Sequence, residues 1–526
     1  MELKKDLIDQ VNRLTNIGIA LSSEKDINNF FKLILDEAIN YTNSDGGTVY
    51  TVSENKKSVD FKVICTRSMN LQLGIADTSK WPSVPLYEKN GEKNIKNFVS
   101  YVVHTGKSTS IDDVYNQNIF DNSGTKKYDK INNYRSISMA AIPLKNHENE
   151  VLGVIQLINA MNEKDEITPF TEQHITMLTS LASQAAIALS NKKLIEGLEN
   201  LLYQFIKSIA AAIDRKSKYT SGHINRVATL CEEISRKIQK DKVYFKDLHF
   251  SEDELQEISL SGWMHDIGKI TTPVYVVDKA KKLETIFDRI ELVETRFELI
   301  ISLIQNDIIR SRDDKRKQEL NDKLKYLEED REFVEKVNTG GEFMKDEDLD
   351  RIDRIYNFKY ETGGKKYFLI NENEKTNLSI RRGTLLPQEF DKMREHAIVT
   401  HEMLSKLTFP KKFGNVPLYA SAHHEKLNGQ GYPFKLTADE LPVQARIIAV
   451  ADLYEALTAC DRPYKKGKTL SESLRIMGFM AKDGEIDKDL LNLFIDSGLY
   501  LEYAEKFLKP EQIDEVDTEK IKAMYK

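Results

Sequence analysis

The sequence is poor in cysteine, has no long apolar run and carries no excess of positive charge, and each shortage removes a class of protein. Its three cysteines, Cys65, Cys231 and Cys460, are scattered at spacings that match no zinc motif and are read as buried free thiols. No stretch of about 18 apolar residues occurs, and the amino-terminal "MELKKDLIDQ" lacks the apolar core of a signal peptide. A cytoplasmic location with no membrane span is therefore expected. The net charge of −7 opposes nucleic-acid binding, because phosphate backbones select strongly basic surfaces. A small anionic ligand in one local basic pocket is still compatible with it. At 526 residues, 40% hydrophobic and 30% charged, the composition is that of a soluble globular protein with two or three domains.

What is present falls into blocks. Residues 1 to about 190 mix short alternating apolar runs, "GGTVYTV", "DFKVICT", "AAIPL" and "EVLGVIQLINA", with amphipathic helices, the pattern of an α+β domain around an antiparallel sheet. Together with "HTGKSTSIDDV" at 104–114 and the closing "VLGVIQLINAMNEKDEITPFTEQHITMLTSLASQAAIAL", this block resembles a GAF domain, a small-molecule sensor module. Cyclic-nucleotide GAF domains carry an Asn-Lys pair and, further on, a Phe followed by Asp-Glu. Here Asn159 precedes Ala160 and Phe170 leads to His174-Ile175, so the resemblance implies a small-molecule ligand without naming it.

From Phe170 to about Ile213 the pattern stays helical. Ile187, Asn191, Leu194, Leu198, Leu201 and Phe205 alternate steps of four and three, the seam of a parallel coiled coil, which predicts a homodimer joined through a stalk. The alternative is one amphipathic helix packed on its own domain. A second helical block at about 283–338 carries one stripe at Ile286, Phe287, Ile290, Val293, Phe297, Ile300 and Ile304 and another from Leu320 to Val337, with the charged "RSRDDKRKQ" between. This reads as a helical hairpin inserted into the later domain, within about 280–385.

The chemistry sits in five stretches. "SAHHEKLNGQGYP" at 421–433 sets His423 and His424 beside a Gly-Pro turn, and paired imidazoles there suit a metal or phosphate site better than a core. "YTSGHINRV" brings His223, "GWMHDIGKI" brings His265 and Asp266, "KMREHAIVTHEML" brings His396, and "ARIIAVADLYEALTACDRPYKK" brings Asp452. Imidazole nitrogen and carboxylate oxygen without thiolate suit Fe, Mn or Zn and oppose a structural zinc site. Adjacent His265 and Asp266, read as lying in an apolar helix, would let one turn anchor two metals with a carboxylate between them.

The order "HDIGK", "HHEKLNGQGYP", "VADLYEALTACDRPYKK" resembles the HD-GYP phosphodiesterases, a subgroup of the HD hydrolases, over about 209–526. The resemblance implies the metal ligands His223, His265, Asp266, His396, His423, His424 and Asp452, with Asp266 bridging two divalent ions, Fe or Mn. Some members hold a third ion through a glutamate four residues before the first histidine; Tyr219 stands there, which favours two. Asn428 and Ala397 also depart from the usual Asp and Pro, at positions that are not ligands. The implied substrate is cyclic di-GMP, opened to the linear pGpG, which family members often cut further to GMP. Lys269, at i+4 from His265, is expected to reach a non-bridging phosphate oxygen. Arg462 and Lys465 match phosphate- and guanine-contacting positions, on a helix expected to continue from Asp452, while Gly429, Gly431 and Tyr432 shape a loop that borders substrate or a partner, diguanylate cyclase domains by resemblance.

The expected architecture is multidomain: an α+β GAF domain at 1–190, a helical coiled-coil linker at 191–208, and an all-α HD-GYP domain at 209–526 with its helical insertion. The expected activity is metal-dependent phosphodiester hydrolysis in signal transduction, with the GAF domain regulating it. A non-hydrolysing receptor for the same messenger, or an HD hydrolase for another nucleotide, are the alternatives.

Overall fold

Alternation of apolar and polar side chains produces the amino-terminal sheet. In the computed structural model, which describes residues 15–24, 26–79, 81–216, 222–341, 343–460 and 467–526, the chain divides into two compact units, Met1–Leu201 and Leu202–Lys526. In the first, helix α1 (Ile27–Thr42) starts at Asp26, whose carboxylate accepts from the amides of Asn28 and Asn29. Strands β1 (Ser44–Val52), β2 (Ser58–Thr66), β3 (Leu71–Leu73), β4 (Thr109–Ile111), β5 (Met139–Lys145) and β6 (Val151–Met161) form an antiparallel sheet in the order β3-β2-β1-β6-β5-β4. Successive strand residues point to opposite faces, so the sheet has two cores. Val49, Ile142, Leu144, Ile155 and Leu157 cluster with Phe30, Phe31, Ile34 and Leu35 of α1. Tyr50, Met139, Ala141 and Val154 cluster with helix α2 (Phe98–Thr105).

A cavity of about 270 Å³ opens on the second face, lined by the rings of Tyr50, Phe61, Trp81, Phe98 and Phe120 and by Gln156. Asn159 does not line it. Its amide donates to Tyr134 Oη at 2.9 Å and to the Arg135 carbonyl at 2.8 Å and accepts from the Ile137 amide at 2.7 Å, so it holds the chain before β5.

Helix α3 (Glu172–Asp214) runs for 43 residues. Its start buries Leu178, Leu181, Ala182, Ala185, Ala186 and Leu189, and its end buries Ile206, Ala210 and Ile213. Between and beside them Ile187, Leu194, Leu198, Leu201 and Phe205 are 57–66% exposed, an apolar stripe left uncovered among the described residues. None of the helices is long and apolar enough to cross a membrane among the described residues.

Among the described residues the second unit is helical apart from one two-stranded hairpin that the sequence reading does not contain. Helices α4 (His223–Ile238) and α5 (Glu252–Met264) precede the insertion. The insertion holds α6 (Ile290–Arg310), α7 (Asp314–Asn338), α8 (Asp346–Asn357), strands β7 (Lys359–Thr362) and β8 (Lys365–Phe368), and α9 (Glu372–Leu378). The body resumes with α10 (Pro387–Leu404), α11 (Val416–Ser421) and α12 (Val443–Thr458), followed by α13 (Leu470–Lys482). Val293, Phe297, Ile300 and Ile304 of α6 meet Leu320, Leu327 and Val334 of α7, as the hairpin reading requires. Ile286 and Phe287 are exposed instead, because the helix begins only at Ile290. Asp288 holds the preceding turn: it pairs with Lys281, accepts from Asn338 Nδ2 and takes the Ile290 amide.

The cysteines also differ from expectation. Cys231 is buried, whereas Cys65 and Cys460 are half-exposed free thiols.

Lys282 is 1% exposed inside the insertion's core, its ammonium 3.0 Å from the Leu378 carbonyl and 2.8 Å from Met344 Sδ. Burial without a carboxylate at contact pushes its pKa down to about 8. In that interval the unfolded chain binds the proton and the folded chain does not, so the stability contributed by this group rises from about pH 8 to the ordinary value 10.5. Denaturant titration at pH 7.5 and pH 9.5 should show the wild type gaining on Lys282→Met over this range. A parallel pH response in the two proteins would contradict it.

Candidate metal centre

Helix α5 delivers His265 and Asp266 by ending. The α-helical hydrogen bonding stops at Met264, and residues 267–270 form a 3₁₀ turn, so the pair lies at a helix end and not inside a continuous helix as read from sequence. Lys269 is accordingly one 3₁₀ turn from Asp266. Its ammonium lies 2.6 Å from Asp266 Oδ2.

Gly268 explains why the turn reaches the next helix. A Cβ there would stand 2.0 Å from the His396 carbonyl oxygen, so only glycine lets the 3₁₀ turn rest on the backbone of α10. Thr400 of α10 fastens the contact: its Oγ1 accepts from the Gly268 amide at 3.0 Å and donates to the His265 carbonyl at 3.1 Å. His396 is brought beside Asp266 by that packing. His223 opens α4, His423 and His424 follow α11, and Asp452 lies in α12.

The Asp266 carboxylate stands between two donor sets. Its Oδ2 is 3.3 Å from His223 Nε2 and 3.2 Å from His265 Nε2. Its Oδ1 is 3.5 Å from His396 Nε2 and 3.9 Å from His423 Nε2. Asp452 Oδ1 joins the first set, 3.4 Å from His223 Nε2 and 3.8 Å from His265 Nε2. His424 joins the second: the donor atoms of His396, His423 and His424 lie within 4.8 Å of one another, as do those of His223, His265 and Asp266. All seven residues therefore meet in one place.

The protonation pattern suits ligation. Nδ1 of His265, His396 and His423 faces the carbonyl three residues earlier, of Gly262, Met393 and Ala420, at 2.6–2.8 Å. A carbonyl only accepts, so each Nδ1 carries hydrogen and each Nε2 presents its lone pair inward. Burial holds His396 and His423 below the ordinary imidazole range and pushes His424 down to about 3, so the second set is neutral. Burial opposes ionisation of Asp266, but Lys269 and the His265 and His223 rings hold its pKa well below the carboxylate range. For His223 burial is likewise opposed, by Glu455, Asp266 and Asp452, which raise it.

Two buried atoms test whether a metal fits. His265 Nε2 and Asp266 Oδ1 make no hydrogen bond, which in a protein interior costs about 1–3 kcal/mol each. Both point into the cluster. A divalent cation coordinates just such nitrogen and oxygen lone pairs, and the donor set has no thiolate.

Beside His424 the GYP loop folds back. The Tyr432 ring lies 4.8 Å from that of His424, tilted by 34°, and Gly431 is required because a Cβ would meet the Lys426 nitrogen at 2.4 Å. Gly429 turns the chain with φ +73°. Glu425, 4% exposed, anchors the loop by accepting the amides of Phe434, Lys435 and Leu436 at 2.6–3.0 Å. Its place after the paired histidines is the only sequence signal for that role. Helix α12 ends at Thr458 and does not continue toward "DRPYKK" as expected; Arg462, Lys465 and Tyr219 lie outside the described residues.

From sequence, Glu455 is only a candidate acid partner for Arg462 and Arg226 has no role; at the centre the two act together. His223 is the first residue of its helix and has no helical carbonyl for Nδ1; Glu455 Oε2 takes that place at 2.5 Å, and Arg226 Nε holds Oε1 at 2.7 Å. The detectable signal was spacing alone, one helical turn after Asp452 on α12. An imidazole fixed this way is a better ligand, and loss of such a partner costs 10–100-fold in metal affinity. Chelator competition should therefore show Glu455→Ala releasing one ion per chain at roughly 10–100-fold lower chelator concentration, with Glu455→Gln between it and wild type. Equal retention in Glu455→Ala would remove the orienting role.

Known proteins align with these blocks. The GAF domain family matches residues 26–189 and the HD domain family residues 373–490, a span that takes in His396, His423, His424 and Asp452. A "Probable cyclic di-GMP phosphodiesterase" of Vibrio cholerae is 34% identical over 143 residues, 26% of this chain and 32% of the relative. A cyclic di-GMP phosphodiesterase of Thermotoga maritima is 36% identical over 96 residues, 18% of this chain and 26% of the relative. A 3'3'-cGAMP-specific phosphodiesterase of Vibrio cholerae is 39% identical over 95 residues, 18% of this chain and 20% of the relative. The matched part is thus a third or less of the length of each of these relatives. With an antiparallel α+β unit ahead of a mostly helical one, the chain carries an amino-terminal GAF domain and a carboxy-terminal HD domain resembling those of cyclic dinucleotide phosphodiesterases.

Proposed function

We propose that the protein is a metal-dependent phosphodiesterase that opens cyclic di-GMP to pGpG and then GMP, under control of its GAF domain. The observation that supports it is Asp266, whose two oxygens face two separate histidine sets. Two divalent ions, Fe or Mn, would supply Lewis acidity toward the phosphate oxygens and an activated water there. His223, His265 and Asp452 would hold one, His396, His423 and His424 the other, and Asp266 both. The chain's own part is to keep Asp266 ionised, which Lys269 favours, and the second histidine set neutral, which burial favours, at the pH of turnover. Lys269, beside Asp266, can turn its ammonium to a non-bridging phosphate oxygen. Gly429, Gly431 and Tyr432 would wall the substrate, with Arg462 and Lys465 as further contacts. The exposed Asn428 and Gln430 form the tip that would meet a cyclase domain.

Because one relative acts on 3'3'-cGAMP, that dinucleotide is the second reading of the substrate. Metal-replete protein incubated with a panel of cyclic dinucleotides, its products separated by chromatography, decides between them. The expected result is pGpG from cyclic di-GMP, about two ions per chain by elemental analysis, and loss of turnover in Asp266→Asn with unchanged circular dichroism. Binding without product would make the protein a receptor instead.

For regulation, the aromatic-lined cavity would take the small-molecule signal and the helix from Glu172 to Asp214 would carry it, with 1–190, 191–208 and 209–526 as sensor, linker and catalytic parts. A cytoplasmic location accords with an intracellular messenger as substrate. The exposed stripe from Ile187 to Phe205 would be covered by the same stripe of a second copy. Sedimentation should give a dimer for wild type and a monomer for the Leu198→Glu, Leu201→Glu double variant; a wild-type monomer ends the stalk reading.

A further inference from the structure

An anionic dinucleotide needs cations beyond the metals, and several lysines described around the centre already have protein partners. Lys269 lies against Asp266, Lys392 against Glu395 and Lys426 against Glu485, while Lys216 donates to the carbonyls of Lys269, Ile270 and Thr272. Arginines nearby are paired too, Arg226 with Glu455 and Arg446 with Asp487.

Arg394 differs. It is exposed on α10, two residues before His396, and among the described residues no carboxylate or hydrogen-bond acceptor holds its guanidinium. Two rings hold it instead: Phe390 with its centroid at 4.5 Å and Tyr432 at 5.2 Å. Tyr432 in turn lies on His424, whose ring centroid is 5.1 Å from that of His396. A chain of ring contacts, edge-to-face and then tilted, therefore runs from the second histidine set outward to a cation at its rim. Aromatic rings attract a guanidinium through its face, which leaves the N–H edge for hydrogen bonds. That edge is a planar fork matched to two oxygens of a phosphate.

We propose that Arg394 binds the phosphate of a cyclic dinucleotide that is not being cleaved, while the other phosphate lies at the histidine and aspartate cluster. The inference rests on the phosphodiesterase reading and adds to it a specificity residue outside the ligand set and outside "DRPYKK". It also gives Tyr432 a purpose: the ring of the GYP loop props the guanidinium toward the substrate.

Full-length, metal-loaded protein and its Arg394→Ala and Arg394→Lys variants would be assayed on cyclic di-GMP, 3'3'-cGAMP and bis(p-nitrophenyl) phosphate, which has a single phosphate and no nucleotide. In Arg394→Ala the ratio of kcat/KM for either cyclic dinucleotide to that for the small diester should fall about 10–100-fold, alike for both, with metal content retained. Arg394→Lys should recover part of it, since charge returns without the fork. An equal fall on all three substrates would assign Arg394 to holding the loop, and a loss confined to one dinucleotide would make it a base reader; either result overturns the proposal, as does an unmoved ratio. A wild type that turns over no cyclic dinucleotide takes down the functional reading and this inference together, whereas wild-type turnover with an unmoved ratio takes down the inference alone.

Discussion

One carboxylate shared between two histidine sets is the constraint around which the helical unit is built. Asp266 can face both only because it sits where α5 ends and because Gly268 lets the following turn press on α10. Were the pair inside a continuous helix, its neighbours would be the next turn of that helix and not His396. Thr400, which bonds both Gly268 and His265, makes the approach a fixed contact. The surrounding core then has to close over a polar cluster, and it does so with Ile224, Leu260, Met264, Ile267 and Leu404, all nearly or fully buried.

The arrangement also divides labour between backbone and side chain. Three histidines take their orientation from the carbonyl of their own preceding turn, which any helical histidine can do without a dedicated partner. His223 begins its helix, so a carboxylate from a distant segment, Glu455, does the same work, and Arg226 balances the charge this brings inside. Removing one member of such a buried trio leaves a charge without its partner, so the three are physically one unit.

The insertion between α5 and α10 is a separate solution to a separate problem. It has its own core from Leu283 to Leu378, and Lys279, its side chain fully buried, ties its base to Glu389 at the start of α10 and to Asn377. The metal-centre segments before and after it are therefore held together by α10 packing on the 3₁₀ turn, independent of the sequence length between them. The HD family match begins at residue 373, within α9 of the insertion, although His223, His265 and Asp266 precede it.

The sequence alone determined the order of the blocks, the antiparallel α+β sheet, the long helix, the helical hairpin and the seven histidines and aspartates that meet at the centre, because period-2 and period-3.6 patterns and motif chemistry are local properties. It did not determine that the helix ends at Met264 or that Lys269 contacts Asp266, because a helix end inside apolar sequence is decided by what packs against it. The stop of α12 at Thr458, ahead of Pro463, is by contrast signalled locally. Ile286 and Phe287 look like part of a stripe until Asp288 ties down the turn before Ile290. Glu455, Arg226, Glu425 and Arg394 read as ordinary charged residues, since nothing local marks a carboxylate as facing an imidazole 232 positions away or an arginine as lying on a tyrosine of another segment. Only the tertiary structure brings those groups within hydrogen-bond and ring-contact distance.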